Sequence, residues 1–191
     1  KIQGLIKGSS IKKFLNSSKI LEKVYLTEDE KIMKYILNKG ENESPVKGQT
    51  IVAHYTAKLL DGTKFDSSFD RNEEFKFTLG VKEVIKLWDI GFASMKKGEK
   101  AILIGTSDYC YGDIGAPPVI PANASLYFEV ELIDFFDKNK EIFEMSSDEK
   151  IEYMLKYKNE GKILFKEKKY EEIFNIFIKA IEHLCDEKHS E

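Results

Sequence analysis

Four stretches decide the fold: VAHYTAKLLDGTKFDSSFDRN at 52–72, EVIKLWDIGFASMKKGEKA at 83–101, DYCYGDIG at 108–115 and PPVIPANASLYFEVEL at 117–132. Ile51, Ala53, Tyr55, Ala57 and Leu59 share one side, and Val52, His54, Thr56 and Lys58 the other, the period of two of a half-buried strand. Asp61-Gly62 then offers the positive-φ positions of a tight hairpin turn. Phe75, Phe77 and Leu79 alternate again before Gly80. Between Gly80 and Gly91 the period changes. Val84 and Trp88 are four apart and Ile85 and Trp88 three apart, which predicts all three on one face of a short helix. Further strands are expected over Lys100–Gly105 and Ser125–Phe135, the latter with Leu126, Phe128, Val130 and Leu132 facing away from Tyr127, Glu129 and Glu131. These elements predict an α+β fold, an antiparallel sheet wrapped across one short helix and needing cover on one face only.

On either side the signals are weaker. KIMKYIL at 31–37 alternates imperfectly and stops at Asn38-Lys39-Gly40. Residues 1–22 form a polar extension with Gly4, Gly8 and a Ser/Asn cluster. Ile11, Phe14, Leu15 and Leu21 could mark a short amphipathic helix there, but disorder or loose packing is the expectation. The main domain is assigned to 23–136 and a mixed-charge linker to 137–146. A helix pair follows over 147–191, opened by the capping box of Ser146 and Glu149. Its first helix can align Ile151, Met154, Leu155, Lys158, Gly161 and Phe165; its second repeats Ile173, Phe174, Phe177, Ile178, Ile181 and Leu184 at threes and fours.

The 191 residues suffice for one or two domains with a real core. Thirty basic and 33 acidic residues, net charge -3, give no reason to expect nucleic acid or an anionic membrane as partner. Cys110 and Cys185 sit far apart without metal-ligand spacing, so both read as free thiols of a reducing compartment, the cytoplasm with the nucleus also open. No run approaches 18 apolar residues. The first residue is Lys1, which leaves open a targeting segment ahead of it.

The joint pattern of Tyr55, FDSSFDRN, EVIxxW and YxYG resembles the FK506-binding-protein (FKBP) family, and the likeness runs from 51 to 136. It implies a half-barrel of five to six antiparallel strands and peptidyl-prolyl cis-trans isomerase activity on proline-containing peptides and proteins. It also implies binding of tacrolimus or rapamycin, with no cofactor and no metal. The chemistry agrees with the residue types. Rotation about a prolyl bond crosses about 18–20 kcal/mol because it removes amide resonance, yet breaks no bond. Aromatic walls and a few directed donors suffice, without a nucleophile or proton relay.

Carried over residue by residue, the likeness puts Trp88 under the proline ring, flanked by Val84 and Ile85. Tyr55, Phe75 and Phe128 become walls. Phe65 lines the cavity with Asp66 beside it as a carboxylate acceptor. Tyr111 points its hydroxyl at a substrate carbonyl, Ile120 and Val119 close one side, and Arg71 orients Asp66 and Tyr55. The Ile85 backbone amide is a donor to macrolides in the family. Taken singly, these aromatics are ordinary core residues of a small β protein, Val84 and Ile85 are the buried side of a helix, and DSS is a turn string. Two departures stand out. Ala116-Pro117-Pro118 replaces the histidine common at the long loop's tip, and Cys110 between two tyrosines suggests a handle for covalent ligands.

YKNEGKILFKEKKYEEIFNIFIKAIEHL at 157–184 resembles the first helix pair of a tetratricopeptide (TPR) array through Gly161, Phe165, Tyr170, Phe177 and Ala180. Such arrays need about three repeats, so the chain is expected to be part of a longer FKBP–TPR protein, the alternative being a C-terminal hairpin packed on the first domain. In that family a clamp for the C-terminal peptide of heat-shock chaperones starts with a lysine, matched by Lys158, and an asparagine, whose place Lys162 takes. An ammonium cannot copy the amide's hydrogen bonding.

Overall fold

In the computed structural model the alternating run at 51–59 lies within a long inner strand, β3 (Gln49–Leu59). The structure describes residues 2–6, 9–41, 43–137 and 147–185. Before β3 come α1 (Ile2–Ile6), α2 (Ser10–Ser17), β1 (Glu22–Tyr25) and β2 (Ile32–Asn38); after it come β4 (Lys64–Ser67), α3 (Ser68–Arg71), β5 (Phe75–Thr78), α4 (Lys86–Ala93), β6 (Lys100–Gly105) and β7 (Leu126–Asp137). The sheet is open and antiparallel, in the order β1-β2-β6-β7-β3-β4, with β5 also pairing β3. It has seven strands where the sequence suggests five to six; β1 extends the edge beyond β2.

β3 pairs β7 from Gln49↔Asp137 to Leu59↔Leu126. On its other side β5 covers Thr50–Ala53 and β4 covers Thr56–Lys58, and α3 is inserted between them. The ladder is therefore broken at Tyr55, and two serine hydroxyls complete it. The Tyr55 N–H donates to Ser68 Oγ at 2.9 Å, and Ser67 Oγ donates to the Tyr55 carbonyl at 3.1 Å. A buried backbone group needs such a partner.

The inner face of the sheet packs on α4 through Ile51, Tyr55, Phe77, Leu103, Phe128 and Leu132 with Leu87, Trp88 and Phe92. Gly91 lets the helix sit close: a Cβ there would lie 2.4 Å from Leu103 Cδ1. The outer face is covered too, which corrects two expectations. The described part of 1–22 does not pack loosely: Ile2, Ile6, Ile11 and Leu15, at helical i,i+4 spacing, are buried against Met33, Tyr35, Ile102, Ile104 and Tyr127. Each apolar side chain so buried stabilises by about 1.5–3 kcal/mol. Leu21 lies outside these helices and is exposed. Burial on both faces of β2 also explains why KIMKYIL does not alternate cleanly.

This first unit spans Lys1–Lys138 and a second spans Asn139–Glu191. The linker expected over 137–146 lies, past Asp137, outside the described residues, as does Ser146 of the expected capping box. The second unit is a helical hairpin of α5 (Ser147–Lys166) and α6 (Tyr170–Cys185). Lys168 turns the chain at φ 59°, and Lys169 N–H donates to the Leu164 carbonyl at 3.0 Å. Gly161 faces Phe177, whose Cζ would be 3.2 Å from an added Cβ, and the Phe165 and Tyr170 rings meet edge to face at 5.8 Å. Ile151, Met154, Leu155, Phe165 and Phe174 are exposed.

Candidate active site

Three neighbouring elements bring Tyr55 (β3), Asp66 (β4) and Arg71 (end of α3) into one hydrogen-bonded triangle. Tyr55 Oη donates to Asp66 Oδ2 at 2.5 Å, Arg71 Nη2 donates to Tyr55 Oη at 2.9 Å, and Arg71 Nη1 donates to Asp66 Oδ1. Burial pulls the Asp66 carboxyl upward, but the hydrogen bonds from Tyr55 and Arg71 outweigh it and hold the group below the ordinary carboxylate value. Burial and the Asp66 bond push the Tyr55 phenol up, against the opposing pull of Arg71. The result is an ionised carboxylate with both oxygens engaged, beside a phenol that stays protonated.

Under this triangle lies an aromatic floor. Trp88 of α4 meets Tyr55 at 4.7 Å and 71°, Phe75 at 5.4 Å and 84°, and Phe128 of β7 at 5.4 Å and 85°. These are edge-to-face contacts, the arrangement ring quadrupoles favour. Phe65 meets Phe128 edge to face at 6.4 Å. The Trp88 Nε1–H is buried with no hydrogen-bond partner among the described residues.

Above the floor is a cavity of about 470 Å³, lined by Tyr55, Phe65, Asp66, Phe75, Val84, Ile85, Trp88, Tyr111 and Phe128, together with Ala57, Lys82 and Glu83. Nine residues named from the sequence thus share one cavity. Val84 and Ile85 reach it differently from expectation: α4 begins at Lys86, Ile85 is its N-cap at φ −60° and ψ 151°, and Val84 precedes it. The three side chains meet in the cavity, but only Trp88 is on the helix, which the chain enters through the extended Ile85. That geometry leaves the Ile85 N–H without an acceptor among the described residues. Tyr111 is about two-fifths exposed, and burial is the main cause that pushes its phenol up.

Ile120 and Val119 are not among the cavity's lining residues. Ile120 is buried in the inner core, fixed by two hydrogen bonds of 2.9 Å between its backbone and that of Ala116, while Val119 is exposed on the same loop. The Pro117-Pro118 bond inside that loop is cis. Cys110 does not offer the expected handle. Burial pushes its thiol up to about 12, and its Sγ lies 3.7 Å from the Gly105 carbonyl oxygen. Lys158 and Lys162 are exposed one turn apart on α5, within the second unit.

Sequence reasoning passed over Ser67 and Ser68, reading DSS as a turn. The signal was two adjacent hydroxyls directly before a break in strand pairing. Ala57, Lys82 and Glu83 were also missed.

The sequence profile of the family described as "FKBP-type peptidyl-prolyl cis-trans isomerase" matches residues 41–133. The human protein named "Peptidyl-prolyl cis-trans isomerase FKBP4" is 51% identical over 109 residues, covering 56% of this chain and 24% of that protein. The rat protein of the same name is 50% identical over 109 residues, with the same coverage. The Drosophila melanogaster protein "FK506-binding protein 59" is 47% identical over 112 residues, covering 58% of this chain and 26% of its own length. The match thus spans about a quarter of each of these relatives.

Proposed function

We propose, from the match of residues 41–133 to the FKBP-type peptidyl-prolyl cis-trans isomerase family, that this chain accelerates Xaa-Pro bond rotation in protein folding and binds tacrolimus and rapamycin. One observation carries the reading: an apolar cavity floored by Trp88 has, on its wall, a carboxylate kept ionised by Tyr55 and Arg71. In this reading the proline ring rests on Trp88 between Phe75 and Phe128. Seating it strips water from the preceding carbonyl, removing solvation that favours the polar planar amide. The Tyr111 hydroxyl and the Ile85 N–H serve as donors to the carbonyls as the bond twists, and Asp66 is the fixed negative pole opposite them. Preference for the twisted over the planar amide lowers the barrier.

The test is a protease-free isomerisation assay on Xaa-Pro tetrapeptides, with and without tacrolimus. Tacrolimus-sensitive turnover that falls about tenfold or more in Asp66→Val and Tyr111→Phe supports the assignment. Undiminished turnover in both variants places the chemistry elsewhere.

A second reading is favoured by the exposed Ile151, Met154, Leu155, Phe165 and Phe174 on the hairpin. There the cavity is a weakly active module for proline motifs or macrolides, and the α5–α6 pair opens a TPR region that scaffolds a chaperone assembly. Lys158 and Lys162 would then meet the carboxylates of a heat-shock chaperone's C-terminal peptide, in the cytoplasm or nucleus. Tight tacrolimus binding without turnover selects this reading over the first.

A further inference from the structure

The proline cavity does not end at Asp66. A second cavity, of about 870 Å³, shares Tyr55, Asp66 and Phe75 with it and continues along residues 71–76. The turn after α3 builds its wall. Asn72 takes the left-handed conformation at φ 50°, and the Glu73 N–H donates to the Ser68 carbonyl at 3.2 Å, which swings Glu73 and Glu74 to the groove.

The charges there are unequally committed. Arg71 and Asp66 are spent on each other. Glu73, Glu74 and Lys76 have no side-chain partner among the described residues, so the groove keeps two free carboxylates against one ammonium. On the proline cavity's own wall, Glu83 accepts from the Thr78 N–H at 2.8 Å, while Lys82 is an unpaired cation. A peptide advances about 3.3 Å per residue when extended. With proline on Trp88, residues two or three away on one flank enter the groove and the opposite flank does not.

Resting on the isomerase reading, we infer that Glu73 and Glu74 are specificity-determining residues that select a lysine or arginine close to proline on a single flank of the substrate. The carboxylates are exposed and screened by solvent, so the preference is modest, about two- to fivefold, and it shrinks when salt shortens the Debye length.

The experiment compares kcat/KM for a neutral Xaa-Pro peptide and for versions carrying Lys or Glu two residues before, or two residues after, the proline. The inference expects Lys over Glu by about two- to fivefold on one flank, reversal of that ratio in Glu73→Lys/Glu74→Lys, and its retention in Glu28→Lys/Glu43→Lys, which changes net charge equally but lines neither cavity. Equal rates for Lys and Glu, the same preference on both flanks, or a ratio unmoved by the reversal overturns it. If the neutral peptide is not isomerised, the isomerase reading fails separately, and the same ratios read as dissociation constants decide the inference; absence of binding by all peptides overturns both.

Discussion

Asp66 carries the sharpest consequences. Its carboxyl is lowered in the folded protein, so it contributes stability above the ordinary carboxylate pKa of about 4, and that contribution disappears as pH falls through the depressed value. Asp66→Asn is expected to be less stable than wild type at pH 7, with a smaller gap at pH 3, below the ordinary carboxylate value. Urea unfolding at both pH values, followed by emission of Trp88, the single tryptophan, measures this. A gap undiminished at low pH would mean Asp66 acts through packing. Cys110 gives a second test. With its thiol pushed up to about 12, iodoacetamide at pH 7.5 should label it far more slowly in the native protein than in urea, read by mass spectrometry. Most cavity residues could be read directly from the sequence, because Tyr55, FDSSFDRN, EVIxxW and YxYG keep fixed spacing. Ile120 and Val119 could not, since a loop's closure onto Ala116 leaves no periodic trace. The state of Cys110 likewise depends on burial by strands distant in sequence.

Among the elements, α4 is the one whose position matters most, because it carries Trp88. Its C-cap carbonyl, Ser94 O, accepts from Lys34 Nζ at 2.8 Å, and the same ammonium donates to Glu99 Oε1 at 2.8 Å. The pair is buried, and a cation at a helix C-terminus meets the favourable end of the dipole. Lys34→Met alone should cost about 3–5 kcal/mol by stranding Glu99, and Lys34→Met/Glu99→Met should recover most of that in denaturant titrations. An additive loss in the double variant would contradict the account. The two long strands could be anticipated from alternation at Ile51–Leu59 and Leu126–Leu132, and the helix from the spacing before Trp88. The start of α4 could not, because Val84 and Ile85 satisfy helical spacing yet precede the helix, Ile85 as its extended N-cap.

In the whole molecule the sheet has two faces to cover, not one. Alternation of Tyr127 with its apolar neighbours suggested a solvated outer face, yet Tyr127, Ile102 and Ile104 are buried by α1 and α2. The N-terminal polarity masked this, since a few apolar residues among many polar ones do the covering. Deleting residues 1–17 should cost several kcal/mol in denaturant and increase binding of a hydrophobic dye, while the proposed isomerase activity of the cavity on the opposite face should be retained. We propose that this cavity turns prolyl bonds. The most direct measurement is NMR exchange spectroscopy of an Xaa-Pro peptide with a catalytic amount of the protein. Cis–trans exchange should rise well above the uncatalysed rate and return to it at one equivalent of tacrolimus. Saturable peptide binding with unchanged exchange would contradict the account.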